Sequence, residues 1–326
     1  MSFGRRVLVT GAGGFIGSHL AERLVALGAD TVAFVRYTSS GSWGWLDRSP
    51  YRRDIEVMVG DVRDPDTLGR AMRNIDTVFH LAALIGIPYS YHAPISYVRT
   101  NVEGTANVLQ TALNSGVSLV VHTSTSEVYG TARYVPMDEA HPLQGQSPYS
   151  ATKIAADKIA EAFHLSFNLP IATIRPFNTY GPRQSARAII PTIIIQALTR
   201  PTLTLGNLDP TRDLTYVEDT VDGFIKISEQ PAAIGQVINV GSGQDISVKD
   251  LVATILQLMG KDLPISQDDQ RARPIGSEVE RLCADTSKAQ RLLDWRSRTD
   301  LAQGLGKTIE WVQTNLELYK ADRYAV

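Results

Sequence analysis

Residues 5–17 read Arg-Arg-Val-Leu-Val-Thr-Gly-Ala-Gly-Gly-Phe-Ile-Gly, and this stretch decides the fold. The β-branched run that ends at Thr10 predicts a short buried strand, and apolar residues at helical spacing from Ile16 onward predict a helix. Glycines between them permit a tight turn and let a pyrophosphate approach the backbone at the helix N-terminus. A second strand is predicted at 31–35. The segment is therefore predicted to bind a dinucleotide through Gly11, Gly14, Phe15, Ile16 and Gly17.

The composition is that of an ordinary globular protein. The chain has 326 residues, of which 43% are hydrophobic and 20% are charged, and its net charge is −2. Because no basic tract is present, nucleic acid is not an expected partner. The apolar stretches are too short to span a bilayer and no signal peptide is visible. We therefore expect no membrane partner and a cytoplasmic location.

A metal site is not predicted. Cys283 is the single cysteine, which excludes an internal disulfide and a cysteine-rich metal site. The six histidines show no cluster at ligand spacing. His80 and His122 lie in apolar runs typical of strands, so we expect both to be hydrogen-bonded members of the core.

Strand and helix signals alternate from residue 5 to about 175. Continuous apolar strands in such a pattern predict an α/β fold with a doubly wound parallel sheet covered by helices on both faces. The rhythm changes after residue 175 to shorter strands and isolated helices. We predict a nucleotide-binding domain at 1–175, with part of 213–243 returning to it, and a smaller α/β substrate-binding domain at 176–326.

A second group of residues carries the predicted chemistry. Tyr149 and Lys153 are four positions apart in a helical pattern and should share one helix face. A free tyrosine releases its proton at about pH 10, so a neighbouring ammonium would make it a usable base near neutrality. Thr125, Ser126 and Glu127 follow a predicted buried strand, at whose carboxyl end such sheets place their active sites. Thr125 and Glu127 are expected on the same side of an extended segment.

These motifs resemble the extended short-chain dehydrogenase/reductase family, in particular its nucleotide-sugar epimerases, dehydratases and decarboxylases. The resemblance extends from Val7 to about Trp311. It implies a Rossmann-type nucleotide-binding fold. The markers are Thr10-Gly11-x-x-Gly14-x-x-Gly17, Gly60-Asp61, Leu81-Ala82-Ala83, Thr125, Tyr149 with Lys153, Arg175-Pro176-Phe177-Asn178-x-Tyr180-Gly181-Pro182, Arg212-Asp213-x-x-Tyr216-Val217-x-Asp219 and Arg273-Pro274.

The resemblance also implies roles for single residues. Tyr149 would remove the proton of the sugar's 4-hydroxyl while a hydride leaves C4 for the nicotinamide, and Thr125 would contact the C4 oxygen. Asp61 would contact the adenine ring. The cofactor site would also include Val62, Leu81, Ala82, Ala83, Tyr149 and Lys153. The substrate, a nucleoside-diphosphate sugar, would be held by Asn178, Arg187, Arg212 and Arg273.

The reaction within the family depends on residues 125–127. A carboxylate at the position of Glu127 is similar to the 4,6-dehydratases, in which it removes the C5 proton. Ser126 stands where many dehydratases have an aspartate that protonates the departing C6 oxygen. Thr-Ser-Glu nevertheless resembles the GDP-mannose 4,6-dehydratases and the UDP-glucuronate decarboxylases. The stretches 87–92 and 184–191 look like bacterial N-acetylhexosamine 4,6-dehydratases of nonulosonic (legionaminic-type) pathways.

We therefore predict an NDP-sugar 4,6-dehydratase acting on a GDP- or UDP-linked hexose or N-acetylhexosamine. A 4-epimerase and a UDP-glucuronate decarboxylase remain alternatives. A non-catalytic nucleotide-binding scaffold is a more distant one, because a scaffold has no need of Thr125, Glu127, Tyr149 and Lys153.

The cofactor is expected to be tightly bound NAD(P), since each turnover regenerates it. Arg36 stands after the second strand, where many NAD-using relatives have an acid that binds the adenosine ribose. An arginine there could accept a 2′-phosphate, so NADP is favoured over NAD by a small margin. Family members pair two helices of each subunit, which predicts a homodimer or a dimer of dimers. The predicted contact residues are Val98, Val102, Ala106, Leu109, Ile154, Ile159 and Phe163.

Overall fold

The computed structural model of the chain describes residues 4–268 and 274–319. Its first half contains β1 (Arg6–Thr10), α1 (Phe15–Ala26), β2 (Asp30–Arg36), β3 (Ile55–Gly60), α2 (Pro65–Ala71), β4 (Thr77–His80), α3 (Ile87–His92), α4 (Pro94–Tyr97), α5 (Gly104–Asn114), β5 (Leu119–Thr123), α6 (Pro148–Phe167) and β6 (Ile171–Pro176). Its second half contains β7 (Asn178–Tyr180), α7 (Ile189–Thr199), β8 (Leu203–Leu205), β9 (Thr211–Tyr216), α8 (Val217–Glu229), β10 (Val237–Val240), β11 (Asp245–Ser247), α9 (Val248–Leu258), β12 (Ile265–Gln267), β13 (Arg281–Leu282), α10 (Ser287–Leu293) and α11 (Leu301–Thr314).

Among the described residues, seven parallel strands form the main sheet in the order β10-β6-β5-β4-β1-β2-β3. The side chains of β1 alternate between two cores: Val7 and Val9 pack on the face covered by α1 and α8, and Leu8 packs on the face covered by α2 and α5. The predicted doubly wound Rossmann-type sheet is confirmed. Its strand order reverses beside β1, so the carboxyl ends of β1 and β4 border the expected ligand crevice.

Two helices beside the sheet carry much of the site. The helix predicted at 98–115 begins earlier, at α4, and contains a π-helical segment over 98–103 before α5. α6 ends close to the predicted position, at Phe167. It begins with a reciprocal cap in which the Ser147 side chain accepts from the backbone of Ser150 and the Ser150 hydroxyl accepts from the backbone of Ser147. This cap fixes the helix start one residue before Tyr149.

The second half of the chain supplies smaller sheets and one returning strand. β9 pairs with β7, β11 and β13, and β12 pairs with β8. β10 returns to the main sheet beside β6. Over the described ranges, we find no helix that has both the length and the apolar character needed to cross a lipid bilayer.

Candidate active site

The glycine-rich turn lies between β1 and α1. Gly11 has a φ of +72°, which glycine adopts without strain, and a Cβ on it would lie 2.9 Å from the backbone nitrogen of Ala82. A Cβ on Gly17 would overlap the carbonyl oxygen of Gly11. Glycine is therefore required where the turn, α1 and the loop after β4 approach one another.

The first turn of α1, which begins at Phe15 and Ile16, suits an anion. Gly14 precedes it, and no side chain of the described residues caps it or places an acid in it. Its first N–H groups are therefore left without a side-chain acceptor among the described residues, at the positive end of the helix dipole. This is the donor set that the pyrophosphate of a dinucleotide needs. All five glycine-motif residues predicted from the sequence lie at this turn.

Arg36 and Asp61 lie at the carboxyl ends of β2 and β3, where Arg36 is paired in register with the last residue of β3. The Asp61 carboxylate accepts two hydrogen bonds from the Arg63 guanidinium, at 2.9 and 2.6 Å. These bonds, with a smaller contribution from Arg36, hold the pKa of Asp61 below its usual value. Val62 is buried beneath the start of α5. The edge predicted to hold the adenosine therefore carries two guanidinium groups around one carboxylate.

The loop after β4 lies opposite the glycine turn. The backbone nitrogens of Leu81 and Ala82 each donate to the Thr10 hydroxyl at 3.2 Å, and Ala83 follows them. The next residue, Leu84, is held on both its N–H and its C=O by the Asn101 side chain, at 2.8 and 2.9 Å.

Asn101 was not predicted as a site residue. It is buried in the π-helical segment, where the widened helix turn accompanies a functional position in many proteins. It also donates to the Thr152 hydroxyl at 3.1 Å, so it links the loop after β4 to the helix that carries Tyr149. No sequence pattern distinguishes it from other polar residues of a helix.

Tyr149 and Lys153 share one face of α6, as their spacing predicted, and both are buried. The Tyr149 hydroxyl hydrogen-bonds with the Thr125 side chain. Lys153 Nζ donates to the carbonyl oxygen of Thr123 at 2.6 Å. Tyr149 and Lys153 therefore both contact the end of β5, at two residues, Thr125 and Thr123, that are two positions apart.

The charge states of this pair differ from the sequence-based expectation. Burial raises the pKa of Tyr149 above its usual value, and the hydrogen bond with Thr125 offsets only part of that rise. Burial also lowers the pKa of Lys153 to about 8. The prediction that Lys153 by itself brings the Tyr149 pKa down is wrong for this structure, because desolvation of a fully buried phenol outweighs the other effects.

The segment 125–127 is not extended, so the predicted placement of Thr125 and Glu127 was wrong. Thr125 is the last extended residue, with φ −161° and ψ 150°, and residues 126–129 form a 3-10 turn. The Thr125 side chain caps this turn by accepting from the Glu127 backbone nitrogen at 3.3 Å. Capping by a threonine hydroxyl favours a turn over a continued strand.

The turn buries the side chains of Ser126 and Glu127 near Tyr149 and Lys153. The negative charge of Glu127 lies close enough to raise the pKa of Tyr149, although by less than burial does. Within the described residues, the Glu127 carboxylate makes no hydrogen bond or ion pair. Thr125, Ser126, Glu127, Tyr149 and Lys153 therefore come together, with one uncommitted carboxylate among them.

Asp157 is a second carboxylate beside this pair that sequence reasoning missed. It lies one helix turn beyond Lys153, is buried, and accepts hydrogen bonds from Ser124 and Arg175 at 2.6 and 2.8 Å. The four-residue spacing from Lys153 to Asp157 was a visible signal, because it places both side chains on the same face of the helix.

Tyr97 packs against Tyr149, and Arg187, one of the predicted substrate residues, lies near Tyr97. The Tyr97 ring packs edge-on against Tyr149, with ring centroids 6.3 Å apart, and its hydroxyl donates to the carbonyl oxygen of Gly86. A Cβ on Gly86 would lie 2.8 Å from Arg187 Nη1. Arg187 is exposed, and no carboxylate of the described residues pairs with it. Its guanidinium therefore lies near the Tyr97 ring, which packs against Tyr149.

The remaining predicted substrate residues lie further along the chain. Arg212 donates to Glu278 Oε1 at 3.2 Å, and both side chains are largely buried. Asn178 begins β7, and its side-chain oxygen is buried without a hydrogen-bond partner among the described residues. Arg273 lies outside the described residues.

Comparisons with known proteins show which proteins the chain is similar to. A family model described as GDP-mannose 4,6 dehydratase matches residues 8–308. A UDP-glucose 4-epimerase of Mycolicibacterium smegmatis is 35% identical over 314 residues, covering 94% of this chain and 98% of that protein. The crystal structure of DesIV, a dTDP-glucose 4,6-dehydratase of Streptomyces venezuelae with NAD bound, has a TM-score of 0.88 at 30% identity and covers 97% of this chain and 99% of that one.

A third similar protein is TunA, an NAD-dependent NDP-hexosamine 5,6-dehydratase. Its structure has a TM-score of 0.84 at 31% identity, covering 95% of this chain and 98% of that one. The similar proteins thus include an epimerase and dehydratases at comparable identity.

Proposed function

This chain belongs to the GDP-mannose 4,6-dehydratase family of nucleotide-sugar dehydratases and epimerases, and we propose that within it the protein is an NDP-sugar 4,6-dehydratase. One observation favours a dehydratase over an epimerase. Glu127 and Asp157 are the carboxylates whose charges act on Tyr149, and Asp157 is committed to Ser124 and Arg175. Among the residues that the structure describes, Glu127 has no hydrogen-bond or ion-pair partner and is left as a base, and such a base is needed for elimination at C5 but not for oxidation at C4 alone.

The chain's own residues have four proton transfers to perform: from the 4-hydroxyl, from C5, to the departing C6 oxygen, and back to C5. Tyr149, as a phenolate, takes the proton of the 4-hydroxyl, and Lys153 provides a positive charge one helix turn away. A nicotinamide cofactor held at the glycine turn would supply the hydride acceptor for C4 and the hydride donor for C6, and its positive charge would add to that of Lys153 beside Tyr149. The resulting 4-ketone acidifies the C5 hydrogen, so that Glu127 can remove it as a proton.

The departing C6 oxygen also needs a proton. Ser126 occupies the place of a second acid, and its hydroxyl is far too weak an acid for that task. We assign the task to Glu127, which carries the C5 proton at that moment. The proton and the C6 hydroxyl then leave as one water molecule, the C5–C6 double bond forms, and the Glu127 carboxylate is regenerated. Hydride delivery to C6 then requires a proton at C5. We assign this proton to the one that Tyr149 took from the 4-hydroxyl, so that Tyr149 returns to the phenolate and the protons balance.

A 4-epimerase is the second candidate, and the 35% identity to a UDP-glucose 4-epimerase favours it. Incubation with GDP- and UDP-linked hexoses, N-acetylhexosamines and glucuronate, followed by mass spectrometry, distinguishes the reactions. We expect a product lighter by one water molecule. A product of unchanged mass but altered sugar configuration would establish the epimerase, and loss of carbon dioxide from UDP-glucuronate would establish a decarboxylase.

Arg187, Arg212 and Asn178 are proposed to bind the substrate, together with Arg273. A guanidinium group suits bidentate contact with a diphosphate. Arg212 already has a carboxylate partner in Glu278, so a diphosphate would have to share or replace that contact. Arg187 has no such competitor among the described residues, which supports a direct contact with the substrate.

NADP is proposed as the preferred cofactor over NAD. The similar DesIV and TunA proteins are described with NAD, so the proposal rests on this chain's own charges. Arg36 and Arg63 supply two positive charges at the ends of β2 and β3, and Asp61 offsets one of them. The remaining positive charge suits a 2′-phosphate better than two ribose hydroxyls.

Arg36→Asp is expected to weaken NADP binding and strengthen NAD binding, because it replaces a charge-assisted contact with repulsion. A contact of this kind is worth ~1.5–3 kcal/mol, or about ten- to a hundredfold in affinity. Titration of both cofactors by calorimetry measures the change. Arg70→Asp, an exposed position near the end of α2, makes the same charge change and should leave the ratio of the two affinities unaltered. Equal NADP affinity in wild type and Arg36→Asp would contradict the proposal.

A homodimer or a dimer of dimers is proposed from an apolar face on the helices at 94–114 and 148–167. Ile95, Val98 and Leu165 are 62%, 45% and 72% exposed in the single chain. The predicted contact list was wrong for Leu109, which is buried in the core of its own chain; Ile159 and Phe163 pack against that core. Large apolar side chains in water on neighbouring helices mark a surface that another subunit covers.

Val98→Glu is expected to shift the protein toward the monomer, because a carboxylate would be buried in the interface without a partner. Light scattering across a micromolar dilution series measures the mass. Ile265→Glu is the matched control, since Ile265 is 41% exposed on β12, away from these helices. A wild-type mass near the 35.7 kDa of one chain at all concentrations would contradict the dimer.

A further inference from the structure

A buried polar cluster lies behind the catalytic pair, and we call it the Asp157 cluster: Asp157, His122, Ser124 and Arg175. Ser124 Oγ and Arg175 Nη2 donate to Asp157 Oδ2, at 2.6 and 2.8 Å. His122 Nε2 lies 3.0 Å from Asp157 Oδ1, so Nε2 carries the proton. Arg175 Nε also donates to Ser124 at 3.2 Å. All four residues are less than a tenth exposed.

The Asp157 cluster and the pair Tyr149 and Lys153 contact the same short segment, residues 123–125. Ser124 stands between Thr123, whose carbonyl receives Lys153, and Thr125, whose side chain bonds Tyr149. The side chains of Tyr149, Lys153 and Asp157 follow one another at four-residue steps on α6 and therefore share its inward face. The end of β5 is thus held by three consecutive turns of one helix.

A buried salt bridge is a costly way to hold a backbone, since desolvation of two charges consumes most of their attraction. Hydroxyl and amide side chains could make the same hydrogen bonds without charge. His122 adds to the cost, because its Nδ1 has no hydrogen-bond partner among the described residues. The expectation of a hydrogen-bonded core histidine is confirmed for His80, which bonds Thr10 and Thr105, and for His122, which among the described residues bonds Asp157 through Nε2 alone.

The negative charge of Asp157 faces Lys153. Burial lowers the pKa of Lys153 to about 8, and the charge of Asp157 opposes this drop. Burial would raise the pKa of Asp157, yet the hydrogen bond from His122 and the charges of Arg175 and Lys153 hold it below its usual value, so it stays ionised. The other ionisable groups near Lys153 and Asp157 are Tyr149 on α6, His80 on β4, His122 on β5, Arg175 on β6, Tyr97 on α4, and Glu127 and Tyr129 in the 3-10 turn.

We propose that Asp157 is a positioning residue for the catalytic pair: it fixes the end of β5 through Ser124 and keeps a negative charge behind Lys153, so that the lysine remains an ammonium group in a fully buried site. The inference rests on the proposed use of Tyr149 and Lys153. It does not depend on Glu127, because the first proton transfer is common to dehydration, epimerisation and decarboxylation.

Two variants test the charge. Asp157→Asn keeps the shape and removes the charge, and Asp157→Asn/Arg175→Met removes both charges of the pair, which avoids an unpaired buried guanidinium. The Lys153 ammonium is titrated by NMR of ¹³Cε-labelled lysine in the purified protein, with Lys153→Met to assign the signal. We expect the Lys153 midpoint to fall by ~1 pH unit or more in Asp157→Asn and by less in the double variant.

The same shift should be seen in catalysis. The first half-reaction, followed as reduced cofactor after mixing with sugar nucleotide, should lose rate at high pH, where Lys153 loses its proton. In the variants this decline should move to lower pH together with the NMR midpoint. A residue that only supports the fold would instead lower the rate at every pH and leave both midpoints unchanged, and that result overturns the proposal.

Two controls complete the test. Asp157→Glu keeps the charge and should bring the midpoint back toward the wild-type value even where the rate stays low. Asp213→Asn removes another buried carboxylate, which accepts from Ser242, Gly243 and Ala284, and should leave the Lys153 midpoint unmoved. If no Asp157 variant folds, the wild type still decides, since a Lys153 midpoint below neutral pH rejects the proposal. Absence of water loss with an intact first half-reaction would reject the dehydratase assignment alone.

Discussion

Tyr149→Phe is expected to reduce the first half-reaction by ~10²–10⁴-fold, which is the usual contribution of a positioned acid–base group. The substitution removes the oxygen that would take the proton of the 4-hydroxyl and that bonds the Thr125 side chain. The buried ring itself remains, so its packing against Tyr97 is kept. Rapid mixing of the enzyme with sugar nucleotide, followed by the absorbance of reduced nicotinamide, measures this step directly.

Tyr97→Phe is the matched control. It deletes a tyrosine hydroxyl from the neighbouring ring, where the hydroxyl donates to the carbonyl oxygen of Gly86. Because that hydroxyl is not placed to receive a substrate proton in the proposed mechanism, the first half-reaction should slow far less than in Tyr149→Phe. An equal loss of rate in both variants would indicate that removing either hydroxyl impairs the first half-reaction, and the assignment of Tyr149 as the base would be rejected.

The sequence predicted those parts of the fold that depend on local signals. The glycine turn was predictable because position 11 has a positive φ and position 17 has no room for a Cβ. Glycine is the residue that meets both requirements, so its presence in the sequence indicates them. The parallel sheet was predictable because its strands are continuous apolar runs. α6 was predictable from Pro148 at its start and from its apolar spacing.

The failures concern features set by contacts between distant segments. The 3-10 turn at 126–129 follows a strand of high β-propensity, and only the threonine cap distinguishes it from a longer strand. The charge states of Tyr149 and Lys153 follow from burial, and Tyr149 packs with Tyr97 and Leu84, which lie more than 50 residues earlier in the sequence. Spacing along one helix identified the pair but carried no information about its solvent exposure.

Glu127→Gln is expected to separate oxidation from elimination. Oxidation at C4 needs Tyr149 and Lys153, both of which the variant retains, so reduced cofactor should still form when substrate is added. Removal of the C5 proton needs a carboxylate, and glutamine keeps the shape of Glu127 without the base. Formation of the dehydrated product should therefore fall at least ~100-fold while reduced cofactor accumulates.

The structure makes this test sharper than the sequence did. Asp157 is the other carboxylate whose charge reaches Tyr149, and it is locked in hydrogen bonds with Ser124 and Arg175, so it is not available to replace Glu127. Glu139→Gln provides the control. It makes the same chemical change at a different carboxylate, which accepts a hydrogen bond from the Asn239 backbone nitrogen. Dehydration at the wild-type rate in Glu127→Gln would mean that Glu127 is not the C5 base. Epimerisation that continues unchanged in that variant would instead establish the second candidate function, since a 4-epimerase needs Tyr149 but has no proton to remove at C5.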